Sequence, residues 1–158
     1  KPGMIVVQDL DEPIKSAMYG EVFVSFMKAV GSVGLITNGA GRDYLQVKSL
    51  DFPCFASGLI VAHGYCNILE TGVPVSIGGL DIRTGDLLHA DSNGVVNIPD
   101  GLASHVAGFV DPFLESEQRI LDLAQVSNPS HEKIQAEARS HMARVAIMKD
   151  EAKALIAT

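Results

Sequence analysis

The stretch that decides the fold runs Tyr19-Gly20-Glu21-Val22-Phe23-Val24-Ser25-Phe26-Met27-Lys28-Ala29-Val30-Gly31, then through Gly34-Leu35-Ile36-Thr37 to Asn38-Gly39-Ala40-Gly41-Arg42-Asp43. From Tyr19 onward a helical pattern is set by Val22, Phe23, Phe26, Ala29 and Val30, which fall close to the spacing of one helix face. Gly31 supplies the stop. Residues 34–37 read as the next strand, and residues 38–41 as turn-rich. Upstream, Met4-Ile5-Val6-Val7 is a short all-apolar run after Pro2-Gly3, the pattern of a central strand covered on both faces. Residues 9–15 are polar and contain Pro13, hence a loop. Strand, helix and strand in that order make a βαβ unit with a parallel sheet.

Working outward, residues 43–49 suit a short helix, and Phe52-Pro53-Cys54-Phe55-Ala56 suits another buried strand. Between residues 73 and 99 the pattern changes to short β segments punctuated by Gly78-Gly79, Thr84-Gly85 and Asn93-Gly94, which suits hairpins or a small barrel-like sheet. Beyond Pro99 the chain reads as helical. Residues 102–110 and 113–125 form one kinked helix or two adjacent ones around Pro112. A long helix covers residues 131–155, with Ile134, Ala138, Met142, Val145, Ile147 and Met148 as an apolar stripe against the body or a neighbouring subunit. The fold class is α/β, with a β-rich half and a helical C-terminal tail. The expected division is residues 1–100 as the site-bearing domain and residues 101–158 as a helical extension. The abrupt opening Pro2-Gly3 into a buried strand predicts that a further N-terminal segment precedes it.

Composition narrows the partners. The 158 residues carry 12 Lys/Arg against 19 Asp/Glu, a formal charge of −7, and no basic run exists to neutralise a phosphate backbone. Nucleic acid is excluded as an expected partner. No apolar stretch approaches the ~20 residues of a membrane span, so no membrane is expected either. Two cysteines, Cys54 and Cys66, make neither a disulfide framework nor a CxxC zinc site, and fit a reducing, cytoplasmic compartment. The five histidines, at 63, 89, 105, 131 and 141, have no metal-binding spacing with Cys, Asp or Glu. Gly78-Gly79 has no Lys-Ser/Thr after it and is a turn, not a phosphate loop.

Chemistry concentrates at two dipeptides. Gly20-Glu21 opens the helix of the βαβ unit, and Arg42-Asp43 lies past the carboxyl end of the following strand, where ligands of open α/β sheets bind. A helix start offers backbone N–H groups and a positive dipole end, so Glu21, Val22 and Phe23 suit a carboxylate. Arg42 adds a fork of donors for a carboxylate or enolate oxygen. Glu21 and Asp43 beside a bound anion make sense mainly with a cation between them, and two carboxylates plus waters suit Mg2+. The same residues also read as an ordinary helix cap and a surface ion pair, and neither dipeptide is rare.

The spacing then meets a known pattern. Gly20-Glu21, twenty further residues and Arg42-Asp43 resemble the Gly-(Asp/Glu)-x20-Arg-Asp signature of the RraA-like family, whose catalytic members are 4-hydroxy-4-methyl-2-oxoglutarate aldolases. Pro2-Gly3-Met4-Ile5-Val6-Val7 is similar to the family's strand opening. Phe52-Pro53-Cys54-Phe55-Ala56-Ser57-Gly58 is similar to its Phe-Pro-Val-Phe-Ala-Arg-Gly, and the run from Ile77-Gly78-Gly79 through Gly94-Val95-Val96 to its β-rich closing segment. The resemblance covers about residues 1–99. It implies a swivelling β/β/α-type fold, assembled as homotrimers or hexamers with sites between subunits. It implies that Asp43 ligates Mg2+ or Mn2+ directly and that Glu21 holds the ion through a water. Arg42 would contact the keto or enolate oxygen of a pyruvate-like group. Val22 and Phe23 N–H would take its carboxylate, with Gly20 and Gly41 lining the same substrate site. The implied activity is metal-dependent retro-aldol cleavage of 2-oxo acids to pyruvate, or oxaloacetate decarboxylation through the same enolate.

Three positions depart from the family pattern. Gln46 stands where an acidic residue is usual, Ser57 where Arg is, and His89 where Tyr is. Because relatives on this fold include a protein inhibitor of a ribonuclease, a non-catalytic interaction protein is the alternative. An older family label, menaquinone-precursor methyltransferase, finds no glycine-rich loop here: Gln8-Asp9-Leu10-Asp11 follows Val7.

Overall fold

The computed structural model describes residues 3–157, so Pro2 of the expected strand opening lies outside it. Three strands, β1 (Met4–Val7), β3 (Gly34–Thr37) and β5 (Cys54–Phe55), form a parallel sheet in the order β1-β3-β5. Helix α1 (Glu21–Ala29) is the crossover between β1 and β3. A second parallel sheet, β2-β4-β6, is made of β2 (Ala17–Tyr19), β4 (Ala40–Gly41) and β6 (Gly58–Leu59). Helix α2 (Tyr44–Ser49) follows β4.

Four expectations need correction here. The central strand of the first sheet is β3, all four residues of which are buried, while β1 is a half-buried edge strand. An apolar run reports burial but not its place in the ladder. Tyr19 ends β2 rather than opening the helix, and α1 begins at Glu21. The turn-rich residues 38–41 contain β4, whose Ala-Gly dipeptide carries no β signal and is a strand only through its two neighbours. Arg42-Asp43 therefore follow β4 of the second sheet, not β3.

Helix α1 stops for a clear reason. Gly31, at φ +91°, closes a Schellman turn in which its N–H donates to Lys28 O and Ser32 N–H to Met27 O, both 3.0 Å. The core under α1 and α2 consists of Tyr19, Val24, Leu35, Val47 and Phe52, with Ile5, Val7, Met27, Leu50 and Cys54 packed on it. The later strands form two hairpins rather than a barrel-like sheet: β7 (Val75–Ile77) with β8 (Leu80–Ile82), and β9 (Leu87–Asp91) with β10 (Gly94–Ile98).

Internal packing divides the chain into two units, one comprising the chain up to Gly85 with Ala90–Val96, the other Asp86–His89 with the chain from Asn97. The second is dominated by α3 (Asp100–Ala103), α4 (Val106–Ala124) and α5 (His131–Ile156). Helix α4 continues through Pro112 as one helix, and the break falls earlier, at residues 104–105. Pro112 has no N–H to donate to the Gly108 carbonyl, so α4 continues across one missing ladder bond. The α5 stripe also differs from expectation, because Met142 and Ile147 are exposed. The half-buried seam is Ile134, Ala138, His141, Val145, Met148, Ala152 and Leu155, in alternating steps of four and three.

Candidate functional site

Parallel pairing of β2 with β4 places Tyr19 beside Gly41, so the chain leaves both strands side by side, into Gly20-Glu21 on one and Arg42-Asp43 on the other. Arg42 N–H extends the ladder by donating to Tyr19 O at 3.0 Å. Gly20 is the N-cap of α1 and has no side chain with which to cap it. Asp43 takes that role from across the sheet: its Oδ2 accepts the Glu21 N–H at 3.0 Å. Arg42 Nε lies 3.9 Å from the same oxygen, with both side chains about one-third exposed. The first ladder bond of α1 is Val24 N–H to Gly20 O, 3.1 Å, which leaves the Val22 and Phe23 N–H groups ahead of the ladder.

Two further constraints fix the geometry. A side chain at Gly20 would meet Asp43 Oδ2 at 2.6 Å and Arg42 Nε at 3.0 Å. At Gly41 it would meet the Tyr19 ring at 2.3 Å. Asp43 itself sits in the left-handed region, at φ 56°, so that α2 can start behind it, and its carbonyl accepts Val47 N–H at 2.8 Å. Such a conformation is uncommon outside glycine and favours Asp and Asn among other residues.

All four residues of the two dipeptides are thus brought to one point, with Gly41 beneath the Tyr19 ring. Phe23 and Val22 carry exposed side chains beside it. Gln46 is exposed on α2, and Ser57 donates both its N–H and its hydroxyl to Gly39 O at 3.0 Å. Sequence reasoning missed Tyr19; an aromatic on helical spacing just before the Gly-Glu pair reads as the first residue of the helix. Neither of the two main cavities of this unit is lined by residues 20–23 or 41–43.

On metal, the donor set is sparse. Among the described residues no group of three or more His, Cys, Asp or Glu side chains is placed to hold an ion. An ion such as Mg2+, which keeps most of its waters and is commonly held through one or two carboxylates, does not need a group of that size. Asp43 has a second carboxylate oxygen beyond the one that caps α1.

The sequence model of a family described as RraA-like, Aldolase/RraA, matches residues 1–97. The chain belongs to the RraA-like family. A Halalkalibacterium halodurans protein named "Putative 4-hydroxy-4-methyl-2-oxoglutarate aldolase" is 37% identical over 106 residues, covering 66% of this chain and 50% of the relative. Among solved structures, an uncharacterized protein from Pseudomonas syringae superposes with TM-score 0.69 at 25% identity, over 86% of this chain and 65% of that one. Streptomyces coelicolor RraAS2, described as an unusual member of the RNase ES inhibitor RraA protein family, gives TM-score 0.60 at 26% identity, over 74% of this chain and 61% of that one. This RraA-like chain spans about half the length of that aldolase-named relative. The mixed α/β architecture agrees with the fold of these solved structures. Among the described residues no helix is long and apolar enough to cross a membrane.

Proposed function

We propose that this RraA-like chain is a divalent-metal-dependent lyase of 2-oxo acids. In this reading it cleaves 4-hydroxy-4-methyl-2-oxoglutarate-like substrates to pyruvate, decarboxylates oxaloacetate, or does both. The observation that carries the reading is the Glu21 N–H to Asp43 Oδ2 contact at 3.0 Å, with Arg42 Nε beside it. It brings acidic oxygens, a guanidinium and a helix start together within one small region, the elements that recognition of a 2-oxo carboxylate requires.

Asp43 directly, and Glu21 through a water, hold Mg2+ or Mn2+ in this reading. The ion supplies Lewis-acid stabilisation of the enolate that either reaction leaves on the pyruvate fragment. The protein's own residues do the rest. Val22 and Phe23 N–H groups take the substrate carboxylate at the positive end of α1. Arg42 aims its donors at the oxygen on which charge develops, and one such preorganised donor is typically worth ~3–4 kcal/mol. Gly20 keeps the approach to Asp43 open, and Gly41 leaves room for the Tyr19 ring.

A homotrimer or hexamer with sites between subunits is part of the proposal. Helix α1 buries Val24, yet Val22, Phe26 and its C-cap Val30 are 64–75% exposed to solvent, so it is apolar on both sides. A helix of that kind belongs in an interior. The site itself is not enclosed by one chain, and a neighbour would close it. The proposed setting is cytoplasmic, with a small 2-oxo acid as partner.

The second reading is an interaction protein of the ribonuclease-inhibitor kind, favoured by Gln46 and by the absence of a third acidic ligand among the described residues. One assay separates them: pyruvate release from oxaloacetate and from 4-hydroxy-4-methyl-2-oxoglutarate, with Mg2+ or with chelator. Chelator-sensitive release supports the lyase. An intact oligomer that releases no pyruvate from either substrate supports the interaction protein.

A further inference from the structure

A cavity of 430 Å³ lies between α2 and the residues that lead into β5, within the first unit, and shares no residue with the two dipeptides. Its size falls within the range of small-molecule sites. Tyr19 lines it and is 7% exposed, yet its hydroxyl has no hydrogen-bond partner among the described residues. No fully sealed side-chain oxygen in the described structure lacks a partner, so the Tyr19 hydroxyl must keep contact with open space. The cavity is the space that Tyr19 lines.

The rest of the wall states what would fill it. Val47 and Phe52, both about 6% exposed, give an apolar surface, and Cys54 adds a neutral, half-buried thiol. The charged residues of the wall, Lys48 and Asp51, are both exposed and opposite in sign, so the interior carries no net charge. We infer that this cavity is a binding site for a small uncharged molecule, about one aromatic ring in size, with a carbonyl-type acceptor for the Tyr19 hydroxyl. Burial, which pushes the Tyr19 phenol up to about 12 and the Cys54 thiol to about 11, penalises charge there and disfavours an anionic ligand. This inference does not rest on the lyase reading: the Tyr19 hydroxyl takes no part in that chemistry.

Titration of the 15N-labelled full chain with acetophenone, followed by amide shifts, tests it. Ethylbenzene and benzoate serve as the probe without an acceptor and the anionic probe. The expected result is saturable shifts centred on Tyr19, Val47 and Cys54, with ethylbenzene and benzoate each weaker. Tyr19→Phe removes an unpartnered hydroxyl and should fold; it should weaken acetophenone about tenfold and leave ethylbenzene unchanged. Cys54→Met, which adds side-chain volume to the cavity wall and keeps the Tyr19 hydroxyl, should abolish both. Equal binding of acetophenone and ethylbenzene, shifts scattered over other surfaces, no saturation, or acetophenone affinity that survives either variant would overturn the assignment.

Discussion

A methyl group at position 20 would sit 2.6 Å from Asp43 Oδ2, although Gly20 itself has φ −149°, a conformation open to any residue. Gly20→Ala therefore acts through Asp43 and not through backbone strain. We expect it to lower pyruvate release by roughly 10²-fold, the scale of a ~1 Å displacement at a reacting centre, while stability falls by no more than one lost helix cap, about 1 kcal/mol. Steady-state kinetics paired with calorimetry checks this. A second residue-level expectation concerns pH. Burial raises Cys54 to about 11 from 9.0, and burial together with Cys54 raises Tyr19 to about 12 from 10.0. Below pH 9 folded and unfolded chains both hold these protons. Between pH 9 and 12 the unfolded chain releases them first, so stability falls as pH rises. Denaturation midpoints across that window should drop, and the Tyr19→Phe, Cys54→Ala double variant should flatten the drop. The two dipeptides were legible in the sequence because both carry charged side chains at a fixed spacing. The tertiary cap was not, since nothing local says that Asp43 serves a helix that starts at Glu21.

Among elements, the helical hairpin of the second unit shows what periodicity gives and withholds. The extent of α5 followed from composition, and its observed bounds, His131–Ile156, lie within one residue of the reading. Its seam did not follow, because Met142 and Ile147 are apolar but point away, whereas His141 is polar and sits in the seam. The reason is visible across the helix pair. Ser116 of α4, 1% exposed, meets His141 Nδ1 at 2.9 Å and accepts from Arg144 Nη1 at 3.4 Å. Arg144 in turn donates to Glu137 Oε1 at 3.0 Å, and the His141 ring meets the edge of Phe113. Ser116→Ala leaves the partners of that hydroxyl unsatisfied and should cost about 1–3 kcal/mol. Replacing His141 by Leu in the same chain should restore part of the loss, because both members of the Ser116–His141 pair are then gone, and Arg144 keeps Glu137 and Ser140. Chemical denaturation of the single and double variants reads both. Strands as short as β4 and β6 stay illegible for a related reason: two residues have no period, and only their neighbours make them strands.

For the molecule as a whole, the α/β class and the order of the longer elements were legible, and the RraA-like membership rests on residues 1–97. What local pattern could not supply was that two parallel sheets interleave along the chain, β1-β3-β5 with β2-β4-β6. That interleaving brings positions 20–21 and 42–43 to neighbouring strand ends, and the proposed chemistry depends on it. Asp43 is the residue on which the cap and the guanidinium converge and where the proposal places the metal, and its φ of 56° makes Asn the least disruptive replacement. The decisive measurement is the rate of oxaloacetate decarboxylation at saturating Mg2+ by the Asp43→Asn variant, folded to the same midpoint as wild type. A loss of roughly 10²-fold or more is expected, and a wild-type rate would contradict the assignment of this carboxylate to the reaction.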